Sequence, residues 1–299
     1  MPYANGPLHL GHLLESIQTD IWVRFQNQSG NECLFFCADD THGTPVMLKA
    51  KELDISPESL VKNVQKDHIN TYDLYNINFT NFHTTHSDEN KKYSEEIYKS
   101  SKEDNLISKK VVNQYFDTEE GIFLSDRFIK GECPKCSSED QYGDGCEKCG
   151  ATYNSKDLIN PVSVISNSTP ELRDSEHIFF DLPKKRKMLE GFLKKADIQT
   201  SVKNKLNEWM DDLRPWDISR DAPYFGFEIP NEKNKYFYVW LDAPIGYIGT
   251  LEKFLQDSKN KATAEDLWSE DSTYEIYHFI GKDILNFHAL FWPALLHAA

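Results

Sequence analysis

Two histidines flanking a glycine at the mouth of a helix carry the first chemistry in this chain. The run Pro2-Tyr3-Ala4-Asn5-Gly6-Pro7-Leu8-His9-Leu10-Gly11-His12 leads into a segment of helical periodicity. A helix N-terminus offers unpaired N–H groups and about half a positive charge, which suits phosphate. His9 and His12 add two directional donors, and Gly11 lets a planar base lie on the backbone. Nucleotide phosphate handling follows, most simply transfer of a nucleotidyl group. A second constellation is sulfur. Cys133-Pro-Lys-Cys136 and Cys146-Glu-Lys-Cys149 place four thiols in two tight turns, with Gly143, Gly145 and Gly150 nearby. Two such turns complete a tetrahedron around zinc and leave no open position, so the ion is expected to be structural.

The elements that must position these groups follow from the apolar pattern. Leu10, Leu13, Leu14, Ile17, Ile21 and Phe25 recur at helical spacing up to Ser29-Gly30. Cys33–Ala38 is a continuous apolar run, as in a strand buried on both faces, and its two cysteines suit core positions. Asp39-Asp40-Thr41-His42-Gly43-Thr44-Pro45 closes that strand, and Ser56-Pro57-Glu58 starts another helix. Tyr236–Leu241 and Tyr274–Ile280 have strand character, each followed by a polar cluster and a helix, the second carrying Phe287, His288 and Phe291. The alternation predicts an α/β fold with a parallel sheet whose polar clusters share the rim at the strands' carboxyl ends. Residues 101–235, polar around the cysteines, are predicted as an inserted domain with a zinc knuckle at about 131–152. The flanking 1–100 and 236–299 are predicted as the first half and the start of the second half of the α/β domain.

Composition narrows the class. A net charge of −15 argues against a broad nucleic-acid-binding face, and 39% hydrophobic residues over 299 allow a substantial core. The sequence has neither a secretory leader pattern nor an apolar run of membrane-spanning length, so a cytoplasmic protein without membrane contact is expected.

With six motifs in order, the chain resembles the bacterial methionyl-tRNA synthetases, class I aminoacyl-tRNA synthetases, over essentially all 299 residues. The motifs are Pro2–Gly6 with His9–His12, Ala38–Pro45, the cysteine pairs, Trp216–Asp221, Tyr238–Tyr247 and Phe279–Ile284. The resemblance implies a Rossmann-like parallel sheet with an inserted zinc-binding connective domain. It implies ATP-dependent activation of L-methionine to methionyl-adenylate, then transfer to tRNA(Met), with Mg²⁺ accompanying the ATP. His9, His12 and Arg220 would be catalytic; Asn5, His9, Gly11, His12, Gly281 and Asp283 would bind ATP. Asp40 would receive the substrate ammonium. Tyr3, Trp240, Ala243, Pro244, Tyr247, Ile284 and His288 would line the side-chain slot, with polar hydrogens of Tyr247 and His288 aimed at the sulfur. On the residues alone, Trp240 and Tyr247 also fit ordinary core packing, Arg220 a surface ion pair, and Asp39 a helix cap. His42, His68, His83 and His86 match no role. The insertion is too small for the editing domain that branched-chain relatives need, which favours methionine.

The resemblance also carries expectations about the ends. An apolar strand before Pro2, a Lys-Met-Ser-Lys-Ser-type loop and a helical anticodon-reading domain have no match in these residues. A chain truncated at both ends, with an incomplete sheet, an uncovered apolar stretch at Phe291–Leu296 and impaired activation, is the expectation. A noncatalytic methionine- or nucleotide-binding remnant is the alternative.

Overall fold

The computed structural model describes residues 1–258 and 262–299. They form two compact units. The first comprises Met1–Ser108, Phe179–Ile218 and Tyr224–Ala299; the second comprises Lys109–Ile178 with Ser219–Pro223.

In the first unit, helix α1 (Leu10–Gln28) starts at His9, which is extended, and gives way at Ser29 to Gly30 with φ +91°. Strand β1 (Phe36–Asp39) pairs in parallel with β2 (Asn81–Thr84), from Phe36↔Asn81 to Asp39↔Thr84. A parallel bridge joins Tyr3 to Asp40 at the end of β1, where the Ala4 N–H donates to the Asp40 carbonyl and the Asp40 N–H to that of Pro2. The histidine loop therefore leaves from the carboxyl rim of the sheet. Between β1 and β2 run α2 (Thr44–Glu52) and α3 (Pro57–Leu74), the latter capped by the Ser56 hydroxyl as its sequence predicts. Val46, Ala50, Leu60, Val61 and Val64 join Ala4 and Phe225 in one core cluster. Leu13, Val23, Phe35, Tyr72 and Ile77 form another under α1.

Helix α4 (Asp88–Glu103) packs on α7 (Val239–Asp257), which also lies against β1 and β2. Their backbones approach so closely that a Cβ on Gly249 would stand 3.2 Å from the Asn90 nitrogen. The expected strand through Leu241 stops early: the strand is Lys235–Phe237, and α7 begins at Val239. Tyr238 turns the chain, donating its N–H to Ile218 while its carbonyl accepts from Leu241. The strand expected at Tyr274–Ile280 is not formed. Tyr274, Ile276 and Tyr277 are exposed, and no strand among the described residues offers this segment a ladder. The uncovered end at Phe291–Leu296 is also corrected, since Trp292, Ala294 and Leu295 are buried within the chain. These belong to α9 (Trp292–Ala298), entered through a π-helical turn at Phe287–Phe291. Helices α5 (Arg186–Lys195), α6 (Thr200–Asp211) and α8 (Ala264–Trp268) complete this unit.

The second unit is antiparallel. Strand β3 (Ile107–Asp117) returns through Gly121 as β4 (Ile122–Phe123), and β8 (Glu171–Phe180) lies on its other side. Strand β5 (Ile129–Glu132) sits between β6 (Gln141–Tyr142) and β7 (Ile159–Ser163), with the cysteine turns adjoining β5 and β6. Tyr115, Ile122, Leu124, Ile129 and Leu158 form its core. No helix among the described residues is long and apolar enough to cross a membrane.

Candidate functional site

The two histidines of the opening motif meet at the start of α1. The Gly11 N–H donates to His9 Nδ1 at 3.0 Å, the His9 N–H donates to His12 Nδ1 at 3.4 Å, and the rings stack at 3.7 Å. With each Nδ1 an acceptor, a neutral ring carries its proton on Nε2, leaving two N–H donors beside the helix N-terminus. Burial, with His9 alongside, lowers His12 to about 4, so it is neutral near pH 7. Gly11 is required for the stack: a Cβ there would lie 2.9 Å from the His9 ring. Asn5 lies exposed in the preceding turn.

The end of β1 delivers the carboxylates. Asp40 is buried, and its Oδ1 has no hydrogen-bond partner among the described residues. Burial, then the charge of Asp242, holds its pKa well above the usual carboxylate range. Tyr3 and Tyr247 both feel its charge, which raises their hydroxyls further after burial. The Tyr3 hydroxyl donates to the His42 carbonyl at 2.8 Å. Gly43, at φ +118°, admits that hydroxyl where a Cβ would be 2.9 Å away. Asp39 caps no helix. Its Oδ1 lies 2.7 Å from His68 Nδ1, and α2 begins at Gly43 without a side-chain cap.

An aromatic slot adjoins these acids. The Trp240 ring stacks on Phe287 at 4.2 Å, and Ala243 and Pro244 are buried on the same helix. His288 donates Nδ1–H to the Ile284 carbonyl at 3.1 Å, so Nε2 accepts from the Tyr247 hydroxyl at 2.9 Å. Burial lowers His288 to about 4 and neighbouring His278 to about 3. Both polar hydrogens of the Tyr247–His288 pair are therefore committed within the chain. Gly281 lies against α1, where a Cβ would meet the Glu15 carboxylate at 2.8 Å; Asp283 is exposed in the turn that follows. Arg220 belongs to the second unit and donates to the Ser219 carbonyl at 2.6 Å.

The four cysteines converge in the second unit. Cys133 and Cys149 Sγ are 3.8 Å apart, Cys136 and Cys146 3.6 Å, and all four lie within 4.8 Å of one another. A tetrahedral ion with bonds of about 2.3 Å to sulfur needs S···S edges of about 3.8 Å, so the set can hold a metal ion. The Lys135 and Cys149 N–H groups donate to Cys133 and Cys146 Sγ at 3.4 Å, as such turns require.

Several groups without a role in the sequence reading are placed by the fold. Asp242, fully buried on α7, lies 2.5 Å from His42 Nδ1, and His42 Nε2 lies 3.0 Å from His86 Nδ1. Phe287 supplies the face on which Trp240 stacks. The only advance signal for Asp242 was its position in the motif at Tyr238–Tyr247, since its partner lies 200 residues away.

Residues 1–299 match the family of class I tRNA synthetases (M). The fold is similar to a crystal structure of Mycobacterium tuberculosis methionyl-tRNA synthetase bound by methionyl-adenylate, with TM-score 0.72 and 20% identity over all of this chain and 53% of that one. A second structure, M. tuberculosis methionyl-tRNA synthetase in complex with methionyl-adenylate, matches with TM-score 0.72, 19% identity and the same coverage. The chain thus spans about half the length of these solved proteins.

Proposed function

Because this chain belongs to the class I tRNA synthetases (M), matched across residues 1–299, we propose that its first unit activates L-methionine with ATP. The product is methionyl-adenylate, and the whole protein's partner is tRNA(Met) in the cytoplasm. The observation that carries this reading is the buried, hydrogen-bond-free Asp40 Oδ1 beside Tyr247 and its aromatic slot. A carboxylate of that kind calls for a cationic partner, and an ammonium entering from the slot would restore its ionised form. The stacked Trp240–Phe287 wall suits a polarizable thioether, worth about 0.3–1.5 kcal/mol per sulfur–ring contact.

His9 and His12 then direct two Nε2–H donors at the phosphates from the start of α1, where positioning and charge neutralisation drive in-line displacement at the α-phosphorus. Asn5, Gly11, Gly281 and Asp283 hold the nucleotide, and Mg²⁺ accompanies it. Tyr3, Ala243, Pro244, Ile284 and His288 complete the methionine subsite. Zinc is the ion proposed for Cys133, Cys136, Cys146 and Cys149, where it stabilises the inserted domain. The test is amino-acid-dependent ATP–pyrophosphate exchange. Methionine, but not leucine, isoleucine or valine, should support exchange, and Asp40→Asn should lower methionine-dependent exchange on the order of 100-fold. Exchange indifferent to methionine, or unaffected in Asp40→Asn, overturns the reading.

A further inference from the structure

His68 is almost fully buried on α3, and both of its ring nitrogens are used. Nδ1 lies 2.7 Å from Asp39 Oδ1 on β1, and Nε2 lies 2.8 Å from the Gly6 carbonyl in the loop before α1. With Asp39 ionised, its carboxylate and the Gly6 carbonyl are both acceptors, so the ring satisfies both only with a proton on each nitrogen. The two partners belong to the two segments that carry the proposed site. Gly6 lies three residues before His9, and Asp39 immediately precedes Asp40.

We propose that His68 is a positioning residue of the activation site: as an imidazolium it clamps the Gly6 turn to the end of β1. It thereby sets the distance between the phosphate-directed histidines and the ammonium-directed carboxylate. This rests on the activation reading given above. A neutral His68 loses one of the two bonds, and the turn carrying His9 is released on that side. Misplacement by about 1 Å at a reacting centre costs on the order of 100-fold in rate.

The surrounding charges are consistent with the charged form. Asp39 on β1 contacts the ring, the charge of exposed Asp67 on α3 adds to it, and His12 on α1 is the nearby basic group. Burial opposes the charge, yet the hydrogen bond and the charge of Asp39 leave His68 raised above an ordinary histidine. A raised histidine keeps its proton below its own midpoint and loses it as pH rises through that midpoint. The clamp therefore persists to higher pH than an ordinary histidine would allow and is released as pH rises through that midpoint.

Two measurements decide the matter. In the full chain labelled with ¹⁵N-histidine, both His68 nitrogens should be protonated up to a midpoint above that of an ordinary histidine, and Asp39→Asn should lower that midpoint while keeping the imidazole. A midpoint at or below that of an ordinary histidine, or one indifferent to Asp39→Asn, overturns the proposal. In methionine-dependent exchange, kcat should fall as pH rises through that midpoint, and His68→Gln should remove this limb. The same variant should lower kcat on the order of 100-fold with KM for methionine unchanged. A variant with an unaltered pH profile also overturns it. If the chain shows no methionine-dependent exchange at all, the activation reading fails, and the nitrogen titration alone decides whether the clamp exists.

Discussion

His288 shows how a single residue's environment fixes its chemistry. Its Nδ1–H is held by the Ile284 carbonyl, its Nε2 accepts from Tyr247, and burial lowers it to about 4. The unfolded chain gains the proton near pH 6.5 and the folded chain near 4, so the unfolded state binds more protons in between. The contribution of this histidine is complete above pH 6.5 and is lost as pH falls toward 4. Each such group adds up to about 1.4 kcal/mol per pH unit to the slope. Buried Asp40 and Asp242, raised by burial, act with the opposite sign, so the informative comparison is between variants. Urea midpoints between pH 7 and 4.5 should fall less steeply in His288→Asn than in the parent chain. Equal slopes would show that His288 is not held neutral.

At the level of elements, the contact of α4 with α7 locates the slot, because α7 carries Trp240, Ala243, Pro244 and Tyr247 on its first turns. Gly249 allows that approach. Substitution with valine puts side-chain atoms into the Asn90 backbone, which cannot yield as a flexible side chain would. A loss of about 1–3 kcal/mol is expected, read as a lowered urea midpoint. Gly191, within α5, has nothing within 4 Å of an added Cβ. Gly191→Ala should instead gain up to about 1 kcal/mol from helix propensity. Two helical glycines with opposite outcomes separate packing from propensity; the same sign for both would discount the close contact.

For the molecule as a whole, the decisive question is metal. The second unit has a small core and four clustered thiols, and a closed thiolate site supplies folding free energy that such a core lacks. The purified chain should carry about one zinc by elemental analysis. Chelation, or Cys133→Ser, should make residues 131–152 protease-sensitive. A metal-free chain that resists proteolysis there would overturn this assignment.

The sequence by itself determined what depends on near neighbours. The capped start of α3, the histidine pair opening α1 and the paired cysteine turns follow from spacings of a few residues, and each is found, whereas the run Cys33–Ala38 forms a strand only from Phe36 to Asp39 and leaves Cys33 and Cys37 half-buried. Spacing alone overstated two features. Tyr274–Ile280 has strand composition, but a strand forms only where a second backbone satisfies its N–H and C=O groups. Of the predicted α1 stripe only Leu13 is buried, while Leu10 is 80% and Phe25 61% exposed, because periodicity marks a face without saying what covers it. The tertiary structure alone decided the partners of His42, His68 and Asp242. These join α3, β1 and α7 across long sequence separations, and a titratable group acquires its proton and its role from whatever the fold places against it.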